Sequence, residues 1–219
     1  MISSKQVAGK RTYGDPCGIA RALDVIGERW ALLVVRELLL GPKRFTDLRA
    51  GLPHVGPDVL AQRLRELEQA GVIRRGKLPP PAASRVYELT EWGHKLEPVV
   101  LGLGRWGSQA PFPPGGDVLG PDALVLALKT LFDPAGVNGL AGRSFELRLG
   151  EEVFAIQLSE GQLNASRGPA DEPVATIATD SGTLQRVLWH EHPLRADEVE
   201  IGGDEQAAQR FLALFPLPA

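Results

Sequence analysis

A single cysteine, Cys17, stands in 219 residues, so no intrachain disulfide can form; this fits a reducing compartment. Long apolar runs are missing too. The stretch Ala31-Leu32-Leu33-Val34-Val35 is stopped by Arg36 and Glu37, far below the ~20 residues that a membrane span needs. Met1 to Arg11 carries no apolar segment of signal-peptide type, so the expected location is the cytoplasm without membrane insertion. No repeat of solenoid period is visible. Catalytic sets are also lacking: neither His54 nor His94 has a Ser, Cys or carboxylate constellation around it in the sequence. His190-Glu191-His192 offers metal-ligand types, but adjacent positions splay around a helix and Pro193 follows directly. The expectation is therefore no enzyme, no metal and no cofactor.

What is present is an ordinary globular composition, 43% hydrophobic and 23% charged, which is enough for a buried core. The formal charge of −3 conceals an asymmetry. Residues 1–110 hold 17 Lys/Arg against 11 Asp/Glu, a net of +6; residues 111–219 hold 7 against 16, a net of −9. A basic half joined to an acidic half suggests two modules with different partners. The sign changes at Pro111-Phe112-Pro113-Pro114-Gly115-Gly116, where neither a helix nor a strand ladder can continue. The expected division is a first domain at 13–110, a linker at 111–119 and a second domain at 120–219.

In the first half, Asp15-Pro16 reads as a helix start, with Ile19, Leu23 and Ile26 recurring at helical spacing before Gly27. A second helix is predicted over Glu28–Leu40 and closed by Gly41-Pro42, and a third over Thr46–Ala50. Gly56-Pro57 opens a fourth, whose inward stripe is Leu60, Leu64 and Leu67 and whose end is Gly71. Val72–Leu78 and Arg85–Leu89 are then extended, joined by a proline-rich tip at Pro79-Pro80-Pro81. Thr90 caps a last helix carrying Leu96, Val99, Val100, Leu103 and Trp106. Four helices, a β-ribbon and a helix is the order of a winged helix-turn-helix.

The second half alternates differently. A helix over Asp122–Phe132 precedes Phe145/Leu147/Leu149 and Phe154/Ile156/Leu158, both at period two, then Gln162–Arg167 and Val174–Thr179. Ser181–His190 is a helix, Val199-Glu200-Ile201 a strand, and Asp204 caps a terminal helix. The fold class is α+β: a winged helix-turn-helix followed by an α+β domain with an antiparallel sheet.

With the leucines of the fourth helix inward, Asp58, Gln62, Arg65 and Gln69 point away, flanked by Ala61 and Arg63. Gln and Arg can each make paired hydrogen bonds to base edges. Arg74, Arg75 and Lys77 on the first ribbon strand and Arg85 on the second form a cationic wing suited to phosphates. Lys43 and Arg44 can add to it. This pattern points to double-stranded DNA.

Several ordered pieces resemble the HxlR-type regulators: Leu23-Asp24-Val25-Ile26-Gly27-Glu28-Arg29-Trp30, Arg44-Phe45-Thr46-Asp47-Leu48, Leu60-Ala61-Gln62-Arg63-Leu64-Arg65-Glu66-Leu67 and Tyr87-Glu88-Leu89-Thr90-Glu91-Trp92-Gly93. The resemblance spans roughly residues 13–108. It implies a homodimer built through the first and last helices, two recognition helices facing a roughly palindromic operator, and no catalysis. Gly56, Asp58 and Ala61 depart from residues common at those positions in the family. Cys17 stands where members often carry a cysteine, which in some senses oxidants or electrophiles.

Residues 120–217 resemble the sterol carrier protein type-2-like fold through the Phe145–Ser159 strand pair, Ala175-Thr176-Ile177-Ala178-Thr179-Asp180, and Gly203-Asp204-Glu205 leading to Phe211-Leu212. That resemblance implies an apolar cavity for a hydrophobic small molecule, lined by Phe132, Phe145, Phe154, Ile156, Trp189 and Phe211. The leading expectation is a dimeric DNA-binding regulator modulated by such an effector. The alternative is a hydrophobic-ligand carrier whose winged helix serves protein contacts.

Overall fold

The computed structural model describes residues 12–78, 84–111, 118–159 and 161–218. The ribbon tip at 79–83 and the proline/glycine linker at 112–117 lie outside the described residues.

Helix α1 (Gly18–Ile26) begins at Cys17, not at Asp15, whose carboxylate instead accepts the Cys17 N–H at 2.8 Å. α2 (Ala31–Leu38) is shorter than its apolar pattern suggests, because its N-cap Trp30 adopts a left-handed φ of 78°. α3 (Phe45–Gly51) and α4 (Pro57–Gln69) follow, then strands β1 (Ile73–Lys77) and β2 (Arg85–Leu89). The two strands pair antiparallel, with Ile73 opposite Leu89 and Lys77 opposite Arg85. Lys43 and Tyr87 exchange backbone hydrogen bonds at 3.0 and 2.8 Å, tying the ribbon to the α2–α3 turn. The single helix expected after Thr90 is broken into α5 (Glu91–His94) and α6 (Glu97–Gly107). Pro98 lacks an N–H and its ring crowds the carbonyl four residues back, so helix restarts with Pro98 in its first turn.

The remainder builds α7 (Pro121–Leu131), β3 (Ser144–Leu149), β4 (Glu152–Ser159), β5 (Gln162–Arg167), β6 (Ala175–Thr179), α8 (Ser181–Trp189), β7 (Glu200–Gly203) and α9 (Glu205–Leu212). The sheet order is β5-β4-β3-β6-β7. Three of its pairings are antiparallel as expected. The fourth, β3 with β6, is parallel, so the sheet is mixed.

Two clusters of buried side chains result. Val34, Val35, Leu38, Leu48, Leu60, Leu64, Leu67 and Ile73 anchor the first; Leu124, Leu128, Phe145, Phe154, Ile156 and Phe211 anchor the second. α7 lies between them and is buried on nearly every side, including Ala123, Leu124, Val125, Leu126, Leu128 and Leu131. It contacts α2 and α6 on one flank and β5 and α8 on the other. The α6 crossing is close: a Cβ on Gly104 would lie 3.1 Å from Thr130 Cγ2. Arg105 donates two hydrogen bonds to the Thr130 carbonyl, at 3.2 and 3.0 Å, near the end of α7.

α8 carries a side-chain cap with a measurable signature. Asp180 accepts the Thr183 hydroxyl at 2.6 Å and the Thr183 N–H at 2.9 Å, which together hold its carboxyl below the ordinary aspartate range. A folded pKa lower than the unfolded one contributes stability above the unfolded value, which is lost as pH falls through the folded value. Asp180→Ala is therefore expected to cost about 1 kcal/mol in urea unfolding at neutral pH. The difference from wild type should shrink steadily below pH ~4; a pH-independent difference would rule out the cap as its source.

Candidate nucleic-acid interface

α4 is fixed by Leu60, Leu64 and Leu67, each almost fully buried against α1, α2 and β1. That anchoring turns Asp58, Gln62, Arg65 and Gln69 to the exterior, with Ala61 half-buried beside them. Gln62 is held on the helix surface: its Oε1 accepts from Arg65 Nη2 at 2.7 Å and its Nε2 donates to Glu66 Oε1 at 2.6 Å. An amide and a guanidinium so joined present a row of donors and acceptors along one edge. Such a row can exchange its internal bonds for base edges.

Two residues expected at this surface sit elsewhere. Arg63 is half-buried and pairs with Glu66 and Glu28, so it braces α4 from behind and is withdrawn as a DNA contact. Lys43 is withdrawn more firmly. It is 6% exposed, and its Nζ lies 2.5 Å from Glu37 Oε2 and 2.9 Å from Asp122 Oδ2. A lysine between two buried carboxylates has no reach to a phosphate. Arg44 is exposed at the N-cap of α3, where its N–H donates to Asp47.

On the ribbon, Arg75, Tyr87, Lys77 and Arg85 share one face, while Arg74 and Glu88 share the other. Arg75 reaches Glu68 of α4 at 3.1 Å and stacks 5.9 Å from the centre of the Tyr87 ring, which joins wing and helix. Arg74 pairs with Glu88 at 2.8 Å. Lys77 and Arg85 are exposed and opposite one another, and among the described residues neither has an ion-pair partner. Glu68 and Glu88 partly neutralise this wing. Charge type and spacing gave no sign of that pairing, because it depends on how the strands and α4 come together.

The aromatic lining expected for an effector cavity needs a correction. Phe145, Phe154, Ile156 and Phe211 are fully buried in the second core. Phe145 stacks on Phe211 at 4.5 Å, and Phe211 meets Phe215 edge-on at 5.1 Å, so these side chains fill the space between sheet and helices themselves. Trp189 is half-buried, with its indole N–H donating to the Phe215 carbonyl at 3.0 Å. Phe132 is placed differently. It reaches the wall of a cleft of about 490 Å³ between α6, α7 and β5, beside Leu101, Arg105, Lys129 and Leu163. Cys17 is exposed at the start of α1. His192 pairs with Glu198 at 2.5 Å, and no group of metal-ligating side chains occurs among the described residues. Among them, too, no helix is long and apolar enough to cross a membrane.

Sequence comparison covers this first half. The profile of the HxlR-like helix-turn-helix family matches residues 25–112. The HTH-type transcriptional regulator YvaP of Bacillus subtilis is 36% identical over 89 residues, which are 41% of this chain and 82% of YvaP. YodB, an HTH-type transcriptional regulator of the same organism, is 36% identical over 88 residues, 40% of this chain and 79% of its own. Among solved structures, the redox regulator HypR in its oxidized form is 35% identical, with a TM-score of 0.40. It covers 44% of this chain and 100% of HypR.

Proposed function

This chain belongs to the HxlR-like helix-turn-helix family, and we propose that it regulates transcription by binding double-stranded operator DNA as a homodimer. The observation that carries this reading is the outward edge of α4, Gln62 and Arg65, set beside a wing whose Lys77 and Arg85 have no carboxylate partner among the described residues. α4 enters a major groove, Asp58 and Ala61 flanking the contact, and the wing grips the neighbouring backbone. Arg44, Arg74 and Arg75 add phosphate contacts from the two sides.

Binding to a duplex taken from upstream of the protein's own gene, followed by fluorescence anisotropy, tests the reading. Arg65→Ala should reduce preference over a scrambled duplex by about tenfold or more, the ~1–3 kcal/mol of one paired base contact. Lys77→Ala should weaken both duplexes alike and lower the slope of log K against log salt by about one. Equal affinity of wild type for both duplexes would remove operator recognition. An Arg65 variant indistinguishable from wild type would remove this orientation of α4.

The homodimer is supported by exposure on the first and last helices. Ile19 and Leu23 of α1, and Val99, Leu103 and Trp106 of α6, are apolar and lie at the surface of the single chain, Ile19 and Trp106 more than 70% exposed. Two chains per duplex is the expected stoichiometry. Cys17, exposed beside this face, is the residue we assign to any oxidant response. We read residues 13–110 as the DNA-binding unit, 111–119 as linker and 120–219 as a sterol-carrier-like effector unit. With its aromatic core filled, the place left for a hydrophobic effector is the cleft at Phe132, against α6. An effector there acts by favouring one placement of α6, and with it one dimer geometry.

A further inference from the structure

Lys43 is withdrawn from the DNA surface, yet its backbone sits at the root of the wing. Its N–H donates to the Tyr87 carbonyl at 3.0 Å and its carbonyl accepts the Tyr87 N–H at 2.8 Å. Among the described residues this is the only isolated β-bridge, and it ties β2 to the α2–α3 turn. Tyr87 in turn lies opposite Arg75, whose guanidinium stacks on the Tyr87 ring and reaches Glu68 of α4. Lys77 and Arg85 stand two residues farther out on the same face, about 7 Å along the strands. Any tilt at the Lys43–Tyr87 bridge is therefore carried outward to these two cations, and a charge-assisted hydrogen bond tolerates little displacement.

What fixes Lys43 comes from both units. Its ammonium lies between Glu37 of α2 and Asp122 in the first turn of α7, and all three side chains are less than a tenth exposed. Glu37 belongs to the same unit as the wing; Asp122 does not. Asp122 is itself held by Arg167 at the end of β5, and Arg167 passes on to Glu152 of β4. Burial alone would lower the Arg167 pKa, but the Asp122 and Glu152 carboxylates outweigh it and keep the guanidinium charged. A continuous path of charge thus runs from the sheet of the second unit to the wing root, through groups that salt screens poorly. Pulled from both sides, the Lys43 side chain has no slack; held by Glu37 alone, it would be restrained on one side only.

We propose that Asp122 is a positioning residue for DNA binding: from the second unit it holds Lys43, and through Lys43 and Tyr87 it sets where the wing presents Lys77 and Arg85. This inference rests on the reading of α4 and the wing as the DNA-binding surface. It makes a prediction of unusual sign. Neutralising a carboxylate in a protein that meets a polyanion should, by charge alone, tighten binding. Neutralising Asp122 should weaken it, because the lost brace outweighs the lost repulsion. α4 is seated by Leu60, Leu64 and Leu67, so base recognition through Gln62 and Arg65 should persist while the wing's phosphate contacts fade.

Anisotropy titrations of the full chain across a salt series test this, with the upstream duplex and its scrambled form. Asp122→Asn should weaken both duplexes several-fold and alike, and lower the slope of log K against log salt by about one. In a Lys77→Ala background the same change should cost less than in wild type, since both act on one contact. Glu200→Gln, which removes an exposed carboxylate from β7 at the far edge of the sheet, is the charge control and should not weaken binding. Asp122→Asn paired with Arg167→Gln leaves net charge unchanged and Lys43 with Glu37; it should weaken binding in the same way, so the test survives if the single variant does not fold. Unchanged or tighter binding in these Asp122 variants, full additivity with Lys77→Ala, or equal weakening by Glu200→Gln would overturn the proposal. Amide exchange without DNA reads the brace by itself: Lys43 and Tyr87 N–H should exchange faster in the Asp122 variants while α4 keeps its protection. Unchanged exchange at both amides, or equal loss of protection in α4, would overturn the proposal too. Failure of wild type to bind either duplex would count against the regulator reading, and the exchange result would still judge the brace.

Discussion

Replacing Lys43 with alanine should lower the stability of the folded chain by about 3 kcal/mol, measured by urea unfolding at neutral pH. Removing one member of a buried ion pair leaves its partner uncompensated, at roughly 3–5 kcal/mol. Here two carboxylates lose their shared cation, Glu37 at 2.5 Å and Asp122 at 2.9 Å. The expected cost sits at the low end of that range because Arg36 stays beside Glu37 and Arg167 beside Asp122. The backbone bonds between Lys43 and Tyr87 survive the substitution, so the ribbon should stay tied to the α2–α3 turn. Combining Lys43→Ala with Asp122→Asn should restore part of the loss, since the second change removes one of the stranded charges. A cost under ~1 kcal/mol would mean that the trio behaves like an exposed surface pair.

Phe211→Ala should be comparably severe, about 3–5 kcal/mol, the usual range for emptying a large aromatic from a packed core. Phe211 is fully buried, stacked on Phe145 and edge-on to Phe215. The same measurement separates two pictures of the second unit. If the aromatic residues lined an open chamber, truncating one would remove few contacts and cost little, and the space would already admit an apolar guest. A cost below ~1 kcal/mol would favour that chamber. In the packed arrangement the variant gains a void instead. The fraction that remains folded should still bind the operator duplex, because among the described residues Phe211's cluster includes no hydrophobic side chain of α4, β1 or β2.

The sequence was most informative where one helix or strand buries a single face. Leu60, Leu64 and Leu67 sit inward as their spacing predicts, and this is what orients Gln62 and Arg65. Phe154, Ile156 and Leu158 alternate with the pleat of β4 in the same way. Periodicity reports an apolar stripe but not what covers it. Ile19 and Leu23 have the spacing of core residues, yet both are exposed in the single chain. α7 fails in the opposite sense: Leu124, Leu128 and Leu131 mark one face, while Val125 and Leu126 are buried on another. Lys43 could not be read correctly from its neighbours, because Asp122, distant in sequence, captures it. The same holds for the parallel pairing of β3 with β6, since strand pattern carries no direction. Local chemistry marked the edge proposed to face DNA, and long-range contacts decided which cations remain on it.

α7 has a practical consequence for anyone dissecting this chain. Its two flanks seal both cores at once, and Leu40, in the turn just after α2, packs into the far cluster. Severing the polypeptide between 111 and 119 would therefore yield two pieces with raw oily scars, one along α2 and α6, the other along α7. Recombinant fragments made that way should clump or cling to chaperones, whereas co-expressing them should let the scars find each other and heal.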